Sequence, residues 1–381
     1  MENRSPGRIA RMAVVIGAAA LFAISCSSSK SGEKWHPGDF LNGADISSTP
    51  ELEDRGVVYR DSLGEADIFT ILDRHGFNSI RLKLWHTPKD GYNDLAHVAA
   101  MAKRIREHRM HFLLNFHYSD WWADPQKQIT PAAWKDLDFA TLKDSLYEYT
   151  RAVVRTLDEQ GTPPQMVQIG NEIRPGMLWP LGEVDGKYDT AEQWDHLAEL
   201  LAVARKGVYD GLKRLQDVKI MIHFDNGGNN AICRKFFDSL TVRDVQYDVI
   251  GLSFYPRWHG RLDSLESNLA DLSKRYDKDV VVVESAYPFT LQWNDDQGNI
   301  MGSETDLHEG YPATLEGQTE YFRELRRIVT SVPNGRGKGL YYWEPGLIAV
   351  KGGGSPWENV GLFDFTGNAV PAMDVFSGNK P

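Results

Sequence analysis

Short apolar segments alternate along the chain with longer segments of helical periodicity, and this alternation limits the possible folds more than any other feature. Eight of the apolar segments have the length and composition of buried strands. They are Leu41–Ile46, Ser79–Leu84, Phe112–Phe116, Met166–Ile169, Ile220–His223, Val249–Ser253, Val280–Val283 and Gly339–Tyr342. Strands joined by crossover helices pair in parallel, so the alternation predicts a parallel sheet.

Helical periodicity occupies the stretches between these strands. The predicted helices are Glu65–His75, Leu95–His108, Leu137–Gln160, Ala191–Leu215, Ala231–Ser239, Leu262–Tyr276 and Thr314–Ser331. Repeated strand–helix units over 381 residues favour an α/β fold, a (β/α)8 TIM barrel in a single domain. An open doubly wound sheet is the alternative. No glycine-rich phosphate loop follows the first strand, which disfavours a nucleotide-binding sheet.

The first 25 residues have the pattern of an export signal. Three arginines precede an apolar run at 12–24, which is too short to cross a membrane as a helix. The string LFAISC at 21–26 resembles a bacterial lipobox, so Cys26 is the predicted lipidation site. Residues 1–25 are then the signal peptide, residues 26–36 the lipidated cysteine with a flexible tether, and residues 37–381 the barrel domain. An ordinary cleaved signal, with Cys26 incidental, is the alternative.

A lipid on Cys26 would be the protein's one attachment to a membrane. Ser27 does not resemble an inner-membrane retention signal, so we expect an exported protein anchored in the outer membrane, on either its periplasmic or its cell-surface face. Cys233 would then have no cysteine partner, which excludes an intramolecular disulfide and a cysteine-based metal site.

The charge balance narrows the class of partner. The net charge is −11, and residues 1–25 carry three arginines and one glutamate, or +2, so the remainder carries −13. Such a chain is not expected to bind nucleic acid or a polyanion. A neutral polymer fits better, since the 11 Trp, 15 Tyr and 16 Phe supply faces that stack on sugar rings. We expect the protein to be a monomer.

Polar and aromatic residues stand at the C-terminal end of every predicted strand. Barrel enzymes carry their active sites at this end. In chain order the strand ends bring Asp45, Arg81 with Trp85, His117 with Asp120, Asn171 with Glu172, His223 with Asp225, Ser253 with Tyr255, Glu284, and Trp343 with Glu344. Random surface polarity would be divided between both ends, so this distribution indicates a functional site.

Glu172 and Glu284 are the strongest candidates for a pair of catalytic carboxyls. Both follow apolar strands, and the fourth and seventh strands of a barrel face each other across part of its mouth. Glycoside hydrolysis uses such a pair. The structural alternative is a buried glutamate paired with Arg81 or His117.

Three neighbours could support this chemistry. Asn171 could donate a hydrogen bond to a sugar hydroxyl, and Tyr255 could bond Glu284. Arg81 could hold Glu284 ionised, because a nearby cation favours the charged carboxylate.

Motifs between about residues 40 and 366 resemble, in order, those of glycoside hydrolase family 53, the endo-β-1,4-galactanases. The most specific is FHYSDWWADP at 116–125. The Asn-Glu pair and the later glutamate match the wider clan of retaining barrel glycosidases. Further matching segments are GADISS at 43–48, IRLKLW at 80–85, QIGNEI at 168–173, SFYP at 253–256, VESAYP at 283–288 and YWEP at 342–345.

The resemblance implies an arabinogalactan endo-β-1,4-galactanase whose barrel is the catalytic domain. Its partners would be galactan, the neutral side chain of type I pectic arabinogalactan, and galacto-oligosaccharides. Glu172 would be the acid/base and Glu284 the nucleophile of a retaining mechanism. The implied substrate contacts are Asp45, Arg81, Trp85, His117, Asp120, Trp122, Asn171, Tyr255 and Trp343. Two alternatives stay open: a related enzyme acting on mannan or xylan, and a surface glycan-binding lipoprotein without catalysis.

The implied chemistry requires no cofactor. Some bacterial members of the family bind calcium in the loops after strands seven and eight, and Asp295, Asp296 and Asn299 are the candidates in this chain. The alternating Asp-x-Asp-x-His pattern of such sites is not evident, so the favoured interpretation is a solvated acidic loop, with calcium as a possible structural ion.

Overall fold

A closed barrel of eight parallel strands forms the centre of the protein in a computed structural model, which describes residues 35–213, 218–350 and 353–377. The strands are β1 (Leu41–Asp45), β2 (Ser79–Leu84), β3 (His111–Phe116), β4 (Met166–Ile169), β5 (Lys219–Phe224), β6 (Val249–Ser253), β7 (Asp279–Ser285) and β8 (Gly337–Trp343). β1 pairs with β2 on one side and with β8 on the other, which closes the barrel. The predicted fold is confirmed. The predicted signal peptide and Cys26 lie outside the described residues.

Helices surround the barrel. They are α1 (Ile68–Arg74), α2 (Leu95–Glu107), α3 (Phe139–Glu159), α4 (Ala191–Gly211), α5 (Asn230–Thr241), α6 (Leu262–Tyr276) and α7 (Leu315–Thr330), with short helices at Thr49–Asp54 and Pro256–His259. Most of them begin at a residue whose side chain accepts a hydrogen bond from the first turn, as Asp138 does from Thr141 N at 2.8 Å. Across the described ranges, no helix is both long and apolar enough to span a bilayer.

The predicted helix Glu65–His75 is wrong at its start. Gly64–Ala66 pairs with Tyr59–Asp61 as an antiparallel hairpin, which the sequence analysis did not predict. The helix begins only at Ile68, because the carboxylate of Asp67 caps it by accepting from Phe69 N at 2.6 Å. A two-residue ladder between Gly176–Met177 and Gly182–Glu183 was also not predicted.

A short 3-10 segment, Pro371–Ser377, takes the place of a helix after β8 in the described part of the chain. It packs against the barrel exterior, where Phe376 stacks on Phe77 with ring centroids 4.4 Å apart. The last unit of the barrel is therefore covered without an α-helix.

Two apolar layers hold the barrel. The larger lies between strands and helices, and the smaller lies inside the barrel. The inner one comprises Leu41, Leu113, Met166, Met221, Val249, Val281, Val283 and Tyr341. On β2 the inward positions are Ser79, Arg81 and Lys83, and the apolar residues between them face the outer layer. The inner side of β2 is thus polar along its whole length.

We predict that Gly43→Ala destabilises the barrel. A Cβ at Gly43 would lie 2.1 Å from Cδ1 of Tyr341, whose ring is fully buried and whose hydroxyl bonds Ser79 Oγ at 2.6 Å. Overpacking of this kind costs roughly 1–3 kcal/mol. Thermal and urea unfolding should show the loss. In the control Gly298→Ala, the nearest atoms to the new Cβ are 3.7 Å away. Equal stability of the two variants would contradict the prediction.

Candidate active site

The site is organised around the guanidinium of Arg81, which is 1% exposed and reaches inward from β2. Its Nη1 donates to Asp45 Oδ2 at 2.8 Å and to Glu284 Oε2 at 3.1 Å. Its Nη2 donates to Asn171 Oδ1 at 2.8 Å, and its Nε donates to Gln168 Oε1 at 3.2 Å. One side chain thus connects residues that follow or belong to β1, β4 and β7.

Glu284 points into the barrel mouth because β7 is irregular there. Leu252 is paired with Val282, but the next residue, Ser253, is paired with Glu284, so Val283 is an extra residue on β7. Val281 and Val283 both face the inner layer, and strict alternation would then turn Glu284 outward. The bulge re-aims its side chain.

Two groups hold the carboxylate of Glu284. Tyr255, which follows β6, donates its hydroxyl to Glu284 Oε1 at 3.0 Å. Arg81 donates to the other oxygen, Oε2. Both contacts stabilise the ionised carboxylate.

Glu172 follows β4 in a left-handed backbone conformation, with φ 50°. Such conformations are uncommon for residues other than glycine and gather at functional sites. Its Oε1 accepts a hydrogen bond from Ser253 Oγ at 2.6 Å. Its Oε2 has no hydrogen-bond partner within the described residues. One oxygen is therefore fixed and the other is available.

A buried histidine completes the support of Glu172. His223 Nε2 lies 2.8 Å from Ser253 Oγ, and its Nδ1 lies 2.9 Å from the amide nitrogen of Gln168. The serine hydroxyl has one hydrogen, which goes to Glu172, so Nε2 of His223 must donate to Ser253 and Nδ1 must accept. Burial and the charge of Arg81 lower the pKa of His223 well below its ordinary value, in keeping with a neutral ring.

The two glutamates converge. One carboxylate oxygen of each lies within 4.8 Å of the other and of a ring nitrogen of His223. Glu172 and Glu284 are each 9% exposed. The closure of the barrel brings the ends of β4 and β7 together across its mouth.

Burial and charge separate the two glutamates electrostatically. Burial raises the pKa of Glu172 well above its ordinary value, and the carboxylates of Glu284 and Asp225 raise it further. Burial also raises the pKa of Glu284, but Arg81 and the hydroxyl of Tyr255 oppose that rise. Glu284 is therefore the carboxyl that ionises first.

An aromatic wall lines the mouth beside Glu284. The rings of Trp85, Trp122 and Trp343 follow one another with centroids 5.4 Å and 6.2 Å apart. His117 packs edge-on to Trp122 at 5.9 Å. Its Nδ1 accepts from Ala123 N at 3.1 Å, and burial lowers its pKa well below the ordinary value, so it is a neutral ring in this wall. Direct contacts of these residues with a sugar stay predictions.

The wall continues through aromatic residues that the sequence analysis did not single out. Trp357 lies 4.9 Å from Trp343, and Trp258 lies 6.0 Å from Trp357. At the other end, Trp121 packs against Trp85 at 4.5 Å. Trp121 and Trp258 are 45% and 47% exposed, so both ends of the row face solvent. Aromatic rings of this kind can stack on sugar rings.

Asp120, another predicted substrate contact, lies at a junction of loops. Its Oδ1 accepts from Thr87 N at 3.0 Å and its Oδ2 from Ala132 N at 2.8 Å. Both oxygens therefore hold backbone segments.

Trp85, also a predicted substrate contact, is 3% exposed and packs against the rings of Trp121 and Trp122.

Two of the candidate calcium ligands, Asp295 and Asn299, form hydrogen bonds with backbone groups of nearby loops. Asp295 uses one oxygen to accept from Gln297 N and the other to accept from Ser355 N, both at 2.6 Å. Asn299 donates to Gln292 O at 3.1 Å. Among the described residues, Glu172, His223 and Glu284 are the one group of three acidic, histidine or cysteine side chains with converging ligand atoms. Calcium binding in the loop at 292–299 stays a prediction.

Several residues of the site were missed as functional candidates. Ser253 and His223 stand at strand ends but were not assigned roles. Gln168 and Lys83 stand at inward positions of apolar strands. A polar residue at an inward position close to the C-terminal end of a barrel strand was the available signal.

The comparisons with known proteins agree with this geometry. Residues 41–376 match the model of "Glycosyl hydrolase family 53". The arabinogalactan endo-β-1,4-galactanase of Cellvibrio japonicus is 36% identical over 89% of this chain and 91% of its own. Among solved structures, the GH53 catalytic domain of Ignisphaera aggregans is 36% identical with a TM-score of 0.83, covering 90% of this chain and 96% of that one.

A solved structure titled as one of two fungal β-1,4-galactanases has a TM-score of 0.78 at 33% identity, covering 88% of this chain and 98% of that one. The family model extends over nearly all of the barrel, including both glutamates and the aromatic wall. The chain belongs to glycosyl hydrolase family 53.

Proposed function

We propose that the protein hydrolyses β-1,4-galactosidic linkages inside galactan chains by a retaining double displacement, with Glu172 as acid/base and Glu284 as nucleophile. The relatives named as galactanases support the substrate. The mechanism rests on the buried pair of glutamates. Both oxygens of Glu284 accept hydrogen bonds, whereas only one oxygen of Glu172 does within the described residues. The row of aromatic rings with two exposed ends suits cleavage within a chain rather than at its end.

The separation of the glutamates supports retention. Retaining enzymes hold their carboxyls about 5–5.5 Å apart, whereas inverting enzymes leave roughly 6.5–9.5 Å for a water molecule. Oxygens of Glu172 and Glu284 lie within 4.8 Å of each other. This spacing leaves room for direct attack on the anomeric carbon.

In the first step, a carboxylate oxygen of Glu284 forms a bond to the anomeric carbon while the bond to the leaving oxygen breaks. The proton of Glu172 passes to that oxygen. Ser253 fixes Oε1 of Glu172, which leaves Oε2 to carry the proton. The raised pKa of Glu172 keeps this proton in place before the reaction.

In the second step, water attacks the anomeric carbon and the bond to Glu284 breaks. Glu172, now ionised, takes the proton of that water and returns to its starting state. Arg81 and Tyr255 stabilise the carboxylate of Glu284 as it leaves. The sugar is released with the configuration it had in the polymer.

We predict that the wild-type protein releases galacto-oligosaccharides from pure galactan and leaves mannan and xylan intact. Glu284→Gln keeps the shape of the side chain but removes the nucleophile, and should lower kcat/KM by about a thousandfold or more. Reducing-end release measures both. NMR of the first products should show the β-anomer. An active Glu284→Gln protein would refute the assignment, and an α-anomer would refute retention. Binding of galactan without hydrolysis by the wild type would favour a glycan-binding protein.

A second prediction tests the protonation of Glu172. Because this carboxyl must be protonated in the first step, kcat/KM should fall as the pH rises through its pKa. The carboxylate of Asp225 raises that pKa, so Asp225→Asn should move the alkaline limb to lower pH. Asp185→Asn is the control, since Asp185 contacts the same arginine, Arg174, at 3.7 Å but is 63% exposed. Coincident profiles of Asp225→Asn and wild type would contradict the prediction.

We propose further that the protein is an exported lipoprotein, anchored through Cys26 in the outer membrane. The basic segment, the apolar run and the lipobox-like string at 21–26 support this proposal. One acyl chain binds a bilayer only weakly, so stable anchoring requires more than one.

We predict that Cys26→Ala moves the protein from the membrane fraction to the soluble fraction. Detergent phase partitioning of the wild type and the variant, expressed in a bacterium, measures the change. Cys233→Ala is the control, since Cys233 is the other cysteine of the chain and is buried in α5. A wild-type protein found in the soluble fraction would favour the ordinary cleaved signal.

A further inference from the structure

A buried ammonium group lies beside the aromatic wall. Lys83 is the third inward residue of β2, two positions beyond Arg81 toward the mouth, and is 2% exposed. Its Nζ lies 3.0 Å from Glu344 Oε1 and 3.5 Å from Ser48 Oγ. A buried ammonium requires such a partner, because an unpaired charge in the interior is strongly unfavourable.

The free face of this ammonium is directed at an indole. Lys83 Nζ lies 4.0 Å from the ring centroid of Trp122 and 5.4 Å from that of Trp85. The shorter distance is well inside the range of a cation–π contact. Within the described residues the N–H of Trp122 makes no hydrogen bond, so contacts with its faces and edges determine the orientation of the ring.

The carboxylate that holds Lys83 is itself fixed. Glu344 follows Trp343 with φ 47°, and its backbone N–H donates to Asp45 O at 2.9 Å. Its Oε1 accepts from Ser48 N at 3.1 Å and from Ser48 Oγ at 2.9 Å. The loop after β1 therefore holds Glu344, Glu344 holds Lys83, and Lys83 faces Trp122.

We propose that Lys83, held by Glu344, is a positioning residue that fixes the indole of Trp122 as a stacking surface for the sugars next to Glu284. The proposal rests on the proposed function, since it assigns Trp122 a role in binding galactan. An apolar side chain would fill the same space without the cost of burying two charges. It would pack against the ring but would lack the electrostatic attraction of a cation to the ring face.

Lys83→Met combined with Glu344→Gln tests the proposal, because it removes both charges together and leaves neither one unpaired. We expect this pair of substitutions to lower kcat/KM on galactan about tenfold, mainly through KM. In a Trp122→Leu background the same pair should change kcat/KM by less than about twofold, because the ring it acts on is absent. Lys83→Arg keeps the charge and should lose less kcat/KM than the Lys83→Met, Glu344→Gln protein.

A second readout needs no substrate. In protein labelled with 5-fluorotryptophan, the resonance of Trp122 is identified by its loss in Trp122→Leu. It should shift or broaden in the Lys83→Met, Glu344→Gln protein. Lys143→Met is the control, since Lys143 on α3 lies 5.0 Å from the ring of Phe139 and pairs with Glu199 at the surface. Should the double variant not fold, Lys83→Gln replaces it in this comparison; its amide can still donate to Glu344, although it removes the cation alone.

The outcomes separate the two proposals. An unchanged resonance of Trp122, or an equal loss of kcat/KM with and without the Trp122 ring, overturns the positioning role. If the wild type leaves galactan intact, the proposed function fails, and the resonance alone then decides whether Lys83 orients Trp122.

Discussion

The buried charge of Arg81 is the constraint on which the site depends. A guanidinium that is 1% exposed must be compensated by acceptors, and Asp45, Glu284, Asn171 and Gln168 provide them. These residues come from three strands besides β2, so the arginine links the ends of those strands. It favours the ionised form of Glu284 but makes no hydrogen bond to Glu172. Because Arg81 contacts only Glu284 of the two glutamates, it opposes the rise in the pKa of Glu284 and leaves that of Glu172 raised.

Local departures from regular backbone direct the functional side chains to the mouth. The bulge at Val283 turns Glu284 inward, and Glu172 leaves β4 with φ 50°. Glu344 leaves β8 with φ 47°. Each of these conformations is less favourable than continued strand, and the surrounding hydrogen bonds keep it in place.

The inward residues of β2 form different polar contacts from the bottom of the barrel to its mouth. Ser79 bonds His111 and Tyr341 in the interior, Arg81 holds the carboxylates of Asp45 and Glu284, and Lys83 lies beside Trp122 at the rim. Residues two apart on a strand share a face, so one strand reaches three successive layers. At the level of Arg81, the guanidinium binds the carboxylate of Glu284, the proposed nucleophile. The layer of Lys83 and Glu344 borders the aromatic wall, where the substrate would be held.

The amino-acid sequence by itself determined the barrel, because eight apolar strands separated by helices have few other ways to bury their surfaces. β2, β4 and β6 have the predicted bounds. The sequence also placed Glu172 and Glu284 at strand ends. Only the tertiary structure decided that they converge, which neighbours set their protonation, and that Lys83 faces Trp122. Those facts depend on barrel closure and on a bulge, which join residues far apart in the chain and leave no local pattern.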